Sequence, residues 1–131
     1  MRRTKSDRSK RIQLLDTLFS EAVRIRDHYT CQYCGNATKS AQTHHIFTRQ
    51  NFSTRYDMVN GVTLCFYCHR YRAHGGSEFT YWAERTWLGM KAFEELHDRT
   101  RQLVKVNDEW LDEQEARLRN EITKQQDKVT V

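Results

Sequence analysis

Four cysteines and four of the six histidines fall between Cys31 and His74. Cys31 and Cys34 form one C-x-x-C pair and Cys65 and Cys68 a second, with a His-His dipeptide and Asn60 between them. Thiolates at this spacing on a tight turn reach one ion together, and two such turns complete the tetrahedral sulfur site of a structural zinc. The competing reading is a pair of disulfides, or four unrelated buried thiols. The first eleven residues are mostly charged or polar, with no hydrophobic signal segment to direct the chain into an oxidising compartment, so zinc is expected instead. A redox role is disfavoured because no βαβ pattern surrounds either pair.

A zinc held by four thiolates is closed to water and substrate. It leaves His44, His45, Asn60 and His69 for a second site. Ala41 to Phe47 reads as a short strand, and neighbouring strand residues point to opposite faces, so His44 and His45 are expected to have different jobs. His69 follows Cys68 directly, where the second knuckle opens a helix through Phe66, Tyr67, Arg70 and Tyr71. One imidazole from the strand and one from the helix can hold a divalent ion with open positions, while the third acts as a base. His74 lies five residues beyond His69, off the same face of a regular helix. A phosphate contact or loop role is expected for it, unless a helix ending near Gly75 and Gly76 bends it back as a third ligand.

Taken singly these residues say little, since a His doublet is often surface decoration and Asn60-Gly61 is a common turn signal. Together, the two knuckles, His44-His45-Ile46, Asn60 and the Leu64-Cys65-Phe66-Tyr67-Cys68-His69 run resemble the zinc-knuckle HNH endonucleases. The resemblance implies a treble-clef ββα-metal core in which His44 and His69 hold the catalytic ion, His45 is the general base and Asn60 braces the loop between the strands. It further implies one working ion, Mg²⁺ or Mn²⁺, and products with 5′-phosphate and 3′-hydroxyl ends; imidazole ligands also suit Zn²⁺, Ni²⁺ or Co²⁺. Members often have proline shortly after the doublet, where this chain has Thr48 and no proline anywhere. The outer segments L-F-S-E-A-V-R-I-R-D and W-x-x-x-x-x-L-G resemble those of phage NinG/Rap-type recombination endonucleases, a group associated with branched DNA.

The elements that must position these residues follow from hydrophobic spacing. Leu14, Leu15, Leu18, Phe19, Ala22 and Ile25 recur at helical intervals, so a helix from Ile12 to near Asp27 should pack on the zinc core, with Asp16, Glu21 and Arg24 outward. Before it, residues 1–11 hold six basic side chains against one acidic and read as a mobile arm for phosphate backbones. After Gly76, Ser77 can cap a helix with Phe79, Tyr81, Trp82, Trp87 and Leu88 that stops at Gly89. A second helix is expected through Phe93, Leu96, Leu103 and Val104, and a long charged one, capped by Asn107, through Trp110, Leu111, Leu118 and Ile122. The clustered aromatics here are expected to pack in the core.

The fold class expected is therefore α+β: a small ββα-metal core with a structural zinc, a leading helix, and a mainly helical C-terminal half. The divisions are 1–11 (arm), 12–76 (core with leading helix) and 77–131 (helical extension against the core or a second subunit). The net charge of +5 sits around the candidate site, since residues 24–72 hold seven basic side chains against two acidic, and a positive field suits a polyanion such as DNA. Arg49, Arg55, Arg70 and Arg72 are the candidate phosphate contacts. A homodimer through the C-terminal helices would supply the second active site that cutting both strands requires. A bacterial or phage-infected cytoplasm is the expected location, with no membrane span. The alternatives are a non-catalytic zinc-knuckle module that binds nucleic acid, a phage nicking or packaging nuclease, and a protein-interaction adaptor built on the C-terminal helices.

Overall fold

Leu15, Leu18, Phe19, Ala22 and Val23 recur at the spacing of one helix face, and all are buried on the first element, α1 (Lys5–Arg26). The computed structural model describes residues 5–38 and 40–129. The face of α1 packs on the last helix, α5 (Asp108–Val129), whose Leu111 and Leu118 share a cluster with it and with Tyr56. Removing one such fully buried side chain from water contributes about 1.5–3 kcal/mol. The narrow apolar stripe of α5 is thus used inside the chain.

Between these two helices the chain makes a first knuckle, closed by a bridge from Thr30 to Ala37, and then a two-stranded antiparallel sheet. Strand β1 (Gln42–His45) pairs with β2 (Gly61–Leu64), with His44 opposite Val62 and His45 opposite Gly61. A short helix, α2 (Phe52–Arg55), and a single 3₁₀ turn (Met58–Asn60) fill the connection. Gly61 is required by close approach. A Cβ there would meet Val23 Cγ2 at 2.7 Å and Phe19 Cζ at 2.8 Å, so β2 could not rest on α1 with any larger residue.

Beyond β2 comes the second knuckle and a helix wound more widely than an α-helix, the π-turn Cys68–Ala73. Helix α3 (Ser77–Trp82) continues through a second wide segment, Ala83–Trp87, and is followed by α4 (Met90–Arg99). Phe79 and Ala83 join Val62, Leu64, Cys31, Cys65 and Cys68 in a second buried cluster, with Trp82 and Trp87 packed against it. Phe79, Trp82 and Trp87 therefore wall in the knuckles as core residues, whereas Tyr81, expected with them, is 55% exposed.

Four expectations need correction. The basic opening is not an arm throughout, because residues from Lys5 on are already helical; Arg8 donates to the Val106 carbonyl and Arg11 pairs with Asp108 and Asp112 at the start of α5. Arg2, Arg3 and Lys39 lie outside the described residues. Asp16, expected outward, is turned in on Arg55 and Tyr56. The helix through Phe93 and Leu96 ends at Arg99, short of Val104, and Leu103 is fully exposed, since the chain must run extended to bring the Val106 carbonyl to Arg8 and Asn107 to the cap of α5. The cap before α3 is Gly76 rather than Ser77.

Candidate functional site

The first knuckle is built by backbone bonds that turn two sulfurs inward. Gly35 N–H donates to the Cys31 carbonyl at 2.8 Å, and Cys34 N–H points at the Cys31 sulfur at 3.4 Å. The second repeats the motif, with Cys68 N–H on the Cys65 sulfur at 3.4 Å and His69 N–H on the Cys65 carbonyl at 2.9 Å. The four Sγ atoms lie within 4.8 Å of one another, and Cys34 and Cys65 Sγ are 3.7 Å apart. Two sulfurs each about 2.3 Å from a tetrahedral zinc lie about 3.8 Å apart, whereas a disulfide needs about 2.05 Å. All four thiols are free. They form the donor set of a structural zinc.

Their electrostatics fit the same reading. Burial opposes ionising Cys31, but the backbone N–H groups around its sulfur outweigh it and bring its pKa down to about 7. Cys68 is pushed up, first by burial and then by the neighbouring sulfurs. Four thiolates can share this space only around a cation.

The strand's period of two sorts the histidines. Gln42 and His44 share the face toward the π-turn helix, while Thr43 and His45 face α1. The Gln42 side-chain oxygen accepts from His69 Nδ1 at 2.5 Å, leaving Nε2 as the lone-pair nitrogen of His69. Thr43 meets Ser20 at 3.1 Å, and the His45 ring stacks on Phe19 with centroids 5.0 Å apart. A backbone carbonyl only accepts, so the 2.9 Å contact between His45 Nε2 and the Arg55 oxygen is a donation, and Nδ1 keeps the lone pair.

His74 joins His44 and His69. Their candidate ligand nitrogens lie within 4.8 Å of one another, with ring centroids 5.0 to 5.3 Å apart. On an α-helix, side chains five apart diverge; a π-turn repeats near every fifth residue and stacks them. His74, just past the end of this winding, is brought beside His44 and His69, the arrangement expected if the helix end bends it back toward them. Gly75 ends the segment where a Cβ would lie 2.2 Å from the Tyr71 carbonyl oxygen.

All four imidazoles line one cleft of about 830 Å³, together with Asp16, Thr17, Ser20, Arg24 and Arg49. Burial, then the neighbouring imidazoles, push the pKa of His44 down to about 3. Burial also lowers His45, against the pull of the Arg55 carbonyl, and lowers His69 with help from His74. These rings are neutral at pH 7, the form that binds a metal or accepts a proton. Three clustered imidazoles with lone pairs available fit a divalent ion of the Mn²⁺ to Zn²⁺ series better than Mg²⁺, which prefers oxygen.

Asn60 is fully buried and ties the loop after β1. It accepts from Phe47 N–H at 2.7 Å and donates to the Phe47 and Thr54 carbonyls at 3.0 Å. Of the four candidate arginines, Arg49 alone lines the cleft. Arg55 is held by Asp16 through two bonds of 2.8 and 2.9 Å, and its carbonyl orients His45. Arg70 and Arg72 are exposed outside the cleft.

Several residues were missed. Gln42 was signalled by its strand face. Arg24 and Ser20 follow Thr17 and Asp16 at helical spacing along the cleft face of α1. Arg26 donates to the Met58 and Gly61 carbonyls at 2.7 Å and pairs with Asp27, which accepts from Thr63 N–H at 3.0 Å, pinning α1 to β2. Nothing in their spacing announced this.

A zinc-knuckle hairpin and helix bring a histidine cluster able to hold a metal ion into an open cleft. Residues 31–74 match the family model for HNH endonuclease, so the segment from Cys31 to His74 is similar to that domain. Comparison with curated proteins and with solved structures gave no match. Among the described residues, no helix is long and apolar enough to cross a membrane.

Proposed function

We propose that this chain is a metal-dependent endonuclease that hydrolyses phosphodiester bonds in DNA. The reading is carried by one observation: three imidazoles able to hold an ion and a fourth with an oriented lone pair line the same cleft. His44, His69 and His74 would hold the ion. When bound, it supplies positive charge against the oxygens of the phosphate and the leaving group.

The chain's own residues do the rest. His45 Nδ1 takes a proton from the water that attacks phosphorus, and the Arg55 carbonyl stabilises the imidazolium through Nε2–H. The phosphorus–oxygen bond on the far side breaks, and the departing 3′-oxygen takes a proton from solvent water to become the 3′-hydroxyl, while the proton on His45 is later returned to solvent. Arg49 and Arg24 supply charge for the phosphates on either side, and Asn60 keeps the loop from Phe47 to Thr54 in shape. A role on branched recombination DNA is consistent with the outer-segment resemblance.

The test is cleavage of supercoiled plasmid with Mn²⁺, Mg²⁺ or chelator. Replacing His45→Ala should cut the rate about 10²–10⁴-fold, the usual contribution of a general base, with zinc content unchanged. Undiminished cutting by that variant would move the base elsewhere.

A further inference from the structure

We propose that the outer side of the helix carrying His69 and His74 is a stacking platform for unpaired nucleobases. The preferred substrate would then have a single-stranded segment beside the scissile phosphate; this rests on the nuclease reading above. Phe66, Tyr67 and Tyr71 are 52%, 57% and 56% exposed, three large rings in the open within one short stretch. Solvent-facing rings so closely grouped contribute nothing to the core and mark a binding surface.

The rings are interleaved with cations. Arg70 lies over Phe66 at 6.0 Å and Tyr71 at 5.6 Å, and Arg72 over Tyr67 at 5.5 Å and Tyr33 at 5.3 Å. Tyr67 and Tyr71 are joined, with centroids 5.1 Å apart. Between Asp57 and Glu78 the chain has no acidic residue, so the patch suits a polyanion. Alternating π-faces and guanidinium planes grip single strands, stacking on bases while neutralising phosphates.

Position supplies the link to the site. The inner side of the same helix presents His69 to the cleft, and His74, the residue just past its end, lines the cleft beside it. The platform therefore lies about one helix diameter, roughly 10–12 Å, from the reacting phosphate, a span of only a few nucleotides. Bases in a duplex are stacked on each other and offer only edges to the grooves; an unpaired base offers its face.

The test measures binding without cleavage, by fluorescence anisotropy of the zinc-loaded full chain with no added divalent ion. The probes are a labelled oligothymidylate and a labelled hairpin duplex. Tyr67→Ala/Tyr71→Ala should weaken binding of the single strand about tenfold or more, from the usual range for lost base stacking, and change duplex binding by less than about twofold. Tyr67→Phe/Tyr71→Phe should keep both, since the ring suffices. Tyr71→Ala alone, farther from Cys68, serves should the double variant lose zinc. Equal loss on both probes, or no loss on either, overturns the platform. Selective loss in a chain that cuts no DNA under any metal would sink the nuclease reading and leave the platform standing. Normal cutting without any selective loss would do the reverse.

Discussion

The four-cysteine cluster and the three-histidine cluster are each drawn within 4.8 Å, yet they sit in opposite surroundings. Cys31, Cys65 and Cys68 are buried among Val62, Leu64 and Phe79, whereas the imidazoles open onto a cleft with Arg24 and Arg49 on its walls. Thiolates repel one another unless a cation neutralises them, so that cluster is tied to folding. Neutral imidazoles coexist without a metal, so an ion held there would come and go with the fold intact. The first cluster positions the second: Cys68 precedes His69 directly, and the knuckle fixes the start of the helix that bears it.

That contrast is most sharply tested by removing one sulfur. Cys65→Ser should unfold the core, because structural zinc contributes on the order of 10 kcal/mol to small domains. Circular dichroism and zinc analysis would show it, and a native spectrum without zinc would erase the distinction. A smaller effect is expected on the other side. His74→Ala should leave zinc and fold in place while weakening the exchangeable ion by at least the roughly 10–100-fold that losing an outer-shell partner costs, so that high Mn²⁺ restores cutting; unchanged ion affinity by calorimetry would remove His74 from the site.

A third effect is graded with pH. His44 is held near 3 in the folded protein against an ordinary 6.5. Between those values the unfolded chain takes up a proton that the folded chain refuses, so stability falls as pH drops from 6.5 toward 3 and is fully present above 6.5. Thermal melts of the zinc-loaded protein across that window should show a falling midpoint, with His44→Gln flattening the slope. A midpoint flat to pH 4 in the wild type would contradict the burial of a neutral ring.

What the sequence made legible was set by local spacing. C-x-x-C pairs and the His doublet write their geometry into the numbering, and the strand's alternation separates His44 from His45 without tertiary information. The apolar face of α1 and the Asn107 cap of α5 were legible for the same reason. The spacing of His69 and His74 leaves a loop role and a third ligand both open, and only the fold shows the π-turn that brings the two rings together. Asp16 shows the other limit: its inward turn depends on Arg55, thirty-nine residues away. The end of α4 at Arg99 likewise answers to distant partners, among them Asp57 at 2.8 Å from Arg99. Long-range polar pairing leaves no periodic mark.

The central claim is two metal sites with separate jobs, and one experiment addresses it directly. The purified chain is dialysed against a mild chelator, metal is counted per chain, and plasmid cleavage is measured before and after Mn²⁺ is returned. The account predicts one zinc retained per chain, a folded protein, no cutting in the stripped state and recovery on adding Mn²⁺. Cutting that persists in the stripped protein, or zinc and cleavage lost only together with the fold, would contradict it.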